Sequence, residues 1–312
     1  MQTRRVGSTG LTVSRLGLGT MTWGRGTDAT EAAEQLANFR AAGGTLVDTS
    51  AGYGGGAAEQ ILGEVLGSAP ADDLVLATKA GISGRTGERV VDTSRRALLD
   101  ALDASLHRLG RDHIDLWQVH AWGDAPLEET LSALDFAVSS GRARYVGISN
   151  FNGWQTAAAA SWQRAWPGRT PLATTQMEYS LLRRGVEADL IPACRHLGLG
   201  LLAWSPLAGG VLTGKYTGGV PTNSRGASAE WGPRVASYLD DRAGAVVDAV
   251  RTAADGLEVS PLAVALAWVR DRPGVASAVV GARTAAQLSA SLEAERLELP
   301  PAISAALDDV SG

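Results

Sequence analysis

The stretch Thr45-Leu46-Val47-Asp48-Thr49-Ser50-Ala51-Gly52-Tyr53-Gly54-Gly55-Gly56 leads into Ala57–Leu66 and then into Leu74-Val75-Leu76-Ala77-Thr78-Lys79. A β-branched run ends on an acid, a glycine loop follows, an Ala/Leu segment has helical apolar spacing, and a second apolar run ends on a lysine. That is a strand–helix–strand unit, the crossover that parallel strands require. The unit repeats outward in both directions. Strand-like runs are Leu16–Met21, Thr45–Thr49, Leu74–Lys79, Ile114–His120, Ala143–Ser149, Ala173–Glu178, Gly200–Trp204 and Ala276–Gly281. Helix-like stretches follow at Thr30–Ala42, Ala57–Leu66, Ser94–Leu109, Leu127–Ser139, Gly153–Arg164, Val186–Leu197, Ser260–Arg270 and Thr284–Leu292. Ser260 before Pro261 reads as an N-cap with proline in the first turn.

Eight alternations predict an α/β fold: one (β/α)8 TIM barrel in a single domain spanning residues 1–312. A doubly wound sheet or two half-barrels would also alternate, but eight units with no topological break favour closure. A barrel uses roughly 250 residues, so three additions are expected. Residues 3–15, with Ser8-Thr9-Gly10 at their centre, read as an N-terminal β-hairpin. Residues 205–240, rich in Gly, Pro and Ser, read as a long loop over the C-terminal face. Residues 300–312 read as an added helix.

Composition excludes several classes. The 312 residues carry a formal charge of −5, which argues against a general nucleic-acid binder. One cysteine, Cys194, excludes an internal disulfide and a multi-cysteine metal site, and fits a reducing, cytoplasmic setting. No apolar run suits a membrane span. Of 28 basic residues only Lys79 and Lys215 are lysines. Arg183-Arg184 reads as a solvated turn, and Gly52–Gly56 as freedom for Tyr53 rather than a dinucleotide fingerprint.

In a β/α barrel, chemistry sits at the C-terminal ends of the strands. Asp48, Lys79 and His120 end the second, third and fourth runs, and Tyr53 lies on the loop after Asp48. Singly, each has a plain role: a turn former, a loop aromatic, a solvated lysine, a hydrogen-bonded histidine. Together they suit proton transfer to a carbonyl oxygen. A free phenol is a poor acid near neutrality. An adjacent ammonium is expected to lower its pKa, and a carboxylate keeps that ammonium charged. A neutral imidazole can donate to the same oxygen. No side chain supplies hydride, so a nicotinamide is required.

At this point the chain resembles the aldo-keto reductase superfamily over nearly its whole length. Arg5–Ser14 resembles the family's opening hairpin, and the Asp48-to-Tyr53 segment followed by Glu59 its acid–tyrosine segment. The resemblance implies Tyr53 as general acid, Lys79 and Asp48 as its tuning pair and His120 as orienter of the carbonyl. It implies NADP(H) as cofactor and an aldehyde or ketone as small-molecule substrate; from composition, no nucleic-acid, membrane or obligate protein partner is expected. Gly19, Thr20 and Met21 at the first strand end, Ser149-Asn150 and Gln176 fall at the implied nicotinamide end. Trp204-Ser205-Pro206-Leu207 matches an aromatic-Ser-Pro-Leu run, which implies Trp204 as the ring stacked on nicotinamide. The continuation through Gly209 and Lys215 to Ser224-Arg225 is closest to the branch of bacterial reductases and potassium-channel β subunits, and implies a phosphate clamp. Gly281, Arg283 and Gln287 match the adenosine end, where Arg283 offers a fork for a 2′-phosphate. Ser291 stands where the family usually has Asn, a departure that weakens or reroutes that contact.

Trp23 and Trp122 are expected to wall an apolar substrate pocket. Two other functions compete: a nicotinamide-nucleotide-sensing subunit with little turnover, as in the channel β branch, and a Schiff-base lyase on Lys79, which needs that lysine deprotonated.

Overall fold

The computed structural model describes residues 1–68, 70–83 and 90–312. Strands β1 (Thr3–Arg5) and β2 (Thr12–Ser14) pair antiparallel as the expected hairpin. The chain then runs β3 (Leu16–Gly19), α1 (Ala29–Ala41), β4 (Leu46–Asp48), α2 (Ala57–Leu66) and β5 (Val75–Ala80). A short antiparallel pair follows, β6 (Ile82–Ser83) with β7 (Val90–Val91), which the sequence reading does not anticipate. Next come α3 (Arg95–Leu109), β8 (Ile114–Val119), α4 (Leu127–Ser139), β9 (Ala143–Ser149), α5 (Gly153–Arg164), β10 (Thr174–Glu178), α6 (Leu190–Leu197) and β11 (Gly200–Trp204). The last part holds α7 (Gly232–Ala236), α8 (Asp241–Leu257), α9 (Pro261–Arg270), β12 (Val275–Gly281), α10 (Ala285–Leu292) and α11 (Pro301–Ser311).

The eight strands β3, β4, β5, β8, β9, β10, β11 and β12 form a closed parallel barrel, the last pairing back on the first with Ala278 opposite Leu16. Local chemistry sets the helix boundaries. Asp28, Ser94, Ser260 and Thr284 each accept an amide three residues on, and Asn152 with Gln155 makes a full capping box. Gly110 and Gly198 end α3 and α6 in the left-handed conformation.

Period-two alternation sorts the strand residues. Leu46, Ala77, Leu116 and Leu202 lie two positions before Asp48, Lys79, Gln118 and Trp204, and so share their face. They cluster with Val6, Leu11 and Val13 of the hairpin, which plugs the N-terminal end of the barrel. The other strand face packs against the helices in the larger core. Asp48, Lys79, Gln176 and Trp204 thus lie toward the opposite, C-terminal mouth.

Two expectations about elements change. Residues 205–240 are partly ordered, containing 3₁₀ turns at Ala208–Thr213 and Arg225–Ala227 besides α7. The 17-residue α8 had no counterpart in the sequence reading. Its signals are the cap Asp240, which accepts from the Ala243 amide, and buried Val246, Val247, Val250 and Ala254 at helical spacing. Arg183-Arg184 is a solvated turn only in part: Arg183 is exposed, whereas Arg184 is half-buried. Arg184 pairs with Glu187, donates to the Asp308 carbonyl and to Ser311, and stacks on Trp268, so it fastens α11 to the barrel. Arg183 stacks over Tyr238 and donates to the Ser237 carbonyl. Among the described residues no single helix is long and apolar enough to cross a membrane.

Candidate active site

Four of the strand ends bring the predicted residues together. Lys79 is fully buried and spends its three ammonium donors on Asp48 Oδ2 at 2.7 Å, the Thr49 carbonyl at 3.0 Å and Tyr53 Oη at 3.4 Å. The other Asp48 oxygen accepts from Gln176 Nε2 at 2.9 Å, so the buried carboxylate has two directional partners. Removing either charge would strand the other in the barrel. Tyr53 reaches this pair because the chain turns sharply after it. Gly54, Gly55 and Gly56 all have positive φ (61°, 65° and 101°), a run that L side chains resist.

His120 stands edge-on to Tyr53, with ring centroids 5.8 Å apart, and its Nδ1 lies 3.0 Å from the Ser50 hydroxyl. Ser50 is a residue of this site that the sequence reading does not single out. Its signal was period two: it follows Asp48 by two positions, on the loop that carries Tyr53.

The electrostatics correct one expectation. Burial pushes the Tyr53 phenol above its usual value; the Lys79 charge pulls it down and Asp48 pushes it up, and the net shift is upward rather than downward. For Lys79, burial works against the charge, but Asp48 and Tyr53 outweigh it and its pKa rises. The phenol therefore keeps its proton and the amine its charge at neutral pH. A charged Lys79 opposes the Schiff-base reading.

Beside the tetrad lies a polar shelf. Ser149 donates to the Gln176 carbonyl, and the Asn150 amide nitrogen does the same from the main chain. The Asn150 side chain donates to the His120 carbonyl at 2.8 Å and accepts from Trp204 Nε1 at 3.2 Å. Asn150, Ser205 and Ala208 are non-glycine residues at positive φ (58°, 54° and 49°), all just past the ends of β9 and β11. Such backbone costs about 1–3 kcal/mol per residue and persists where its surroundings hold it, as at binding sites. Gly19 and buried Thr20 line the first strand end, with Thr20 donating to the Asp48 carbonyl, and half-buried Met21 follows. Trp204 also carries a partner that sequence reasoning missed. The Arg234 guanidinium of α7 stands 4.7 Å over its ring and pairs with Glu178 at 3.0 Å.

The cofactor end is tested by unfilled polar groups. The Ser224 hydroxyl is buried without a partner, and Arg225 stands over the Trp231 ring with no carboxylate paired to it among the described residues. Burial pulls the Arg225 pKa down, and the like charges of Arg283 and Arg234 act the same way. A buried hydroxyl and an uncompensated guanidinium fit a phosphate. Gly209 and Gly210 have positive φ, and a Cβ at Gly210 would lie 2.6 Å from Lys215 Nζ, so the glycine turn brings backbone close to that ammonium. Ser205-Pro206-Leu207 leads into this turn, with the Ser205 carbonyl accepting from Ala208. At the eighth strand end, exposed Gly281 precedes Arg283, which donates to the Asn223 carbonyl at 2.6 Å and so ties that end to the long loop. Gln287 accepts from the Arg283 amide, shaping the turn.

Ser291 is buried and donates to the Gln287 carbonyl at 3.0 Å, which engages its proton within α10. One assignment is corrected. Trp23 is fully buried, with its indole nitrogen donating to Gln35 of α1; it is core rather than pocket wall. Trp122 is half-buried and packs edge-on to both Phe151 and Trp154 at 5.2 Å.

Comparison with known proteins agrees with this fold. The Aldo/keto reductase family model matches residues 15–311. An uncharacterized oxidoreductase of Bacillus subtilis, YrpG, is 34% identical, covering 99% of this chain and 96% of its own length. A probable voltage-gated potassium channel subunit beta of Oryza sativa is 34% identical over 94% of this chain and 91% of its own. The L-glyceraldehyde 3-phosphate reductase of Escherichia coli K12 is 38% identical over 72% of this chain and 67% of its own.

Proposed function

The chain belongs to the aldo/keto reductase family, and on that premise we propose that it is an NADPH-dependent reductase of aldehydes and ketones with Tyr53 as general acid. The observation that carries this reading is the Asp48–Lys79–Tyr53 chain beside His120. Bound nicotinamide supplies the hydride, which no side chain can. Tyr53 Oη accepts from the Lys79 ammonium, so its own proton is available to a carbonyl oxygen at the mouth. As that oxygen gains negative charge, Tyr53 gives up the proton and Lys79 stabilises the phenolate left behind. Asp48, held by Gln176, keeps Lys79 charged and aimed. A Ser50 hydroxyl that donates to His120 Nδ1 puts the imidazole proton on Nε2, where it can donate to the same oxygen.

Ser224, Arg225, Lys215 and Arg283 are the residues suited to the cofactor phosphates. Arg283 supports the 2′-phosphate form, because its fork has donors beyond the one bonded to Asn223. The half-buried ring of Trp122 supports a hydrophobic or aromatic carbonyl as substrate. A nucleotide-sensing subunit with little turnover is the competing reading, motivated by the likeness to the plant channel subunits.

The test is a panel of aromatic and aliphatic aldehydes and ketones run with NADPH and with NADH, following loss of the reduced nicotinamide. Turnover with a preference for NADPH is expected. Tight NADPH binding with no turnover over the whole panel would favour the sensor instead.

A further inference from the structure

The proton transfer derived above makes no use of Glu59, a fully buried acid in the first turn of α2. No side chain caps that helix, and the Glu59 carboxylate bonds elsewhere. One oxygen accepts from the Thr78 hydroxyl. The other accepts from Arg108 Nε at 2.7 Å and pairs with Nη2 at 2.6 Å. Three elements thus meet at one carboxylate: α2, β5 and α3. Thr78 immediately precedes Lys79 on β5. Lys79 points into the barrel, so by alternation Thr78 points outward to the helices. Arg108 also lies against the turn that carries Tyr53, for a Cβ at Gly56 would stand 3.0 Å from Arg108 Cδ and Nε.

Of the three Lys79 partners, two are fixed by the sheet. Asp48 lies opposite Ala77 in the β4–β5 register, and the Thr49 amide donates to the Ala77 carbonyl. Their distances to the ammonium, 2.7 Å and 3.0 Å, follow from that pairing. Tyr53 comes instead from the loop between β4 and α2, and its oxygen lies farther off, at 3.4 Å. The Ala51 amide ties the start of this loop to the Lys79 carbonyl at 3.0 Å. Glu59, bonded to Thr78, ties the far end of it to the same strand. We propose that Glu59 is a positioning residue for the acid: braced by Arg108 and bonded to Thr78, it sets the separation of the Tyr53 phenol from the Lys79 ammonium. The proposal rests on the reading of Tyr53 as general acid. Stabilisation of a phenolate by an ammonium falls with distance, so loosening this brace lowers turnover without touching a substrate or cofactor contact.

The experiment compares Thr78→Val, Thr78→Ser and Glu59→Gln with the native chain, using NADPH and an aromatic aldehyde. Thr78→Val removes the bond to Glu59 and leaves the Glu59–Arg108 pair in place, so it keeps the test open if Glu59→Gln fails to fold. It should lower kcat roughly 10-fold or more, with KM and the NADPH dissociation constant unchanged. Thr78→Ser keeps the hydroxyl and should restore kcat. In a Tyr53→Phe background, Thr78→Val should lose nothing further, because it acts through the phenol. The alkaline limb of kcat should move up in both Thr78→Val and Glu59→Gln. A more distant Lys79 pulls the phenol down less, while Lys79, Asp48 and His120 all remain around it. Removing the Glu59 charge would by itself move the limb down, so an upward shift reads position. A melting temperature that falls while kcat and its alkaline limb stay put makes the brace a packing device and overturns the inference. So does a Thr78→Val loss that persists in full in the Tyr53→Phe background. Failure of the reductase reading looks different: Tyr53→Phe turns over normally, or the native chain reduces no carbonyl. The phenol is then followed directly, as the carbon-13 tyrosine signal missing from Tyr53→Phe. A titration that moves up in Thr78→Val supports the brace, and one that does not move overturns it.

Discussion

Tyr53 and Tyr179 are both tyrosines that sit past a barrel strand among charged groups, and burial raises the pKa of both. Their surroundings give them opposite work. Tyr179 is fully buried, donates to a Glu187 oxygen at 2.7 Å and stands edge-on to Trp268. Its proton has a fixed carboxylate acceptor, and ionising it would place two negative charges together. Tyr53 is half-buried at the mouth, and its oxygen faces an ammonium instead. Its proton is not bonded to a carboxylate, since Lys79 stands between it and Asp48, and the phenolate left by transfer would be held by Lys79. A raised pKa alone does not mark an acid catalyst. The sign of the neighbouring charge, and access to a substrate, do.

The comparison breaks most visibly at the hydroxyls. Tyr53→Phe is expected to lower turnover by about 10²–10⁴-fold while cofactor binding, followed by quenching of indole fluorescence, stays intact. A variant that turns over normally would return Tyr53 to the same structural class as Tyr179. Lys79→Met is expected to lose turnover and stability together. It leaves the buried Asp48 without its cation, and breaking a buried pair costs about 3–5 kcal/mol; urea unfolding beside a turnover assay separates the two effects. Tyr179→Phe should behave in reverse. Losing a hydrogen bond to a carboxylate costs about 1.5–3 kcal/mol, read as a lower urea midpoint, with kcat unchanged.

The two tyrosines also show how far the sequence could be read. Asp48, Tyr53, Lys79 and His120 were legible because period-two alternation and strand ends place them at one mouth, whatever the details of packing. Tyr179 was not singled out, because its partner Glu187 lies in a 3₁₀ turn and its ring partner Trp268 is about ninety residues away on α9. Trp23 was misread for a related reason. Its place on the first loop was legible, but the direction of its ring depended on Gln35 of α1 closing over it. The helix α8 was missed because Gly244 and Gly256 weaken its helical propensity, while its buried valines gain their stability only when packed. The direction of the Tyr53 shift failed differently: the neighbour was named correctly, but desolvation depends on a cavity that no linear spacing displays.

Smaller in size, and shared by the tetrad's two proton carriers, is an effect at alkaline pH. Lys79 and Tyr53 both have folded-state pKa values above their ordinary ones of 10.5 and 10.0. For each, the folded chain holds the proton more tightly than the unfolded chain does. Their contribution to stability is therefore complete below the ordinary values, and falls as pH rises through them toward the folded values. Carbonyl reduction should keep its acid across neutrality and lose it only in that same alkaline window. The melting temperature of the native chain should accordingly drop above about pH 10, and Lys79→Met should flatten part of that drop, since the variant no longer has the lysine to titrate. Tyr179→Phe sharpens the test. Tyr179 is also raised, through burial and Glu187, so its removal should flatten the stability profile too while leaving the alkaline limb of kcat where it was. An alkaline limb of kcat that moved with Tyr179→Phe would mean that the two phenols are not separate devices, and the distinction drawn from their neighbours would fail.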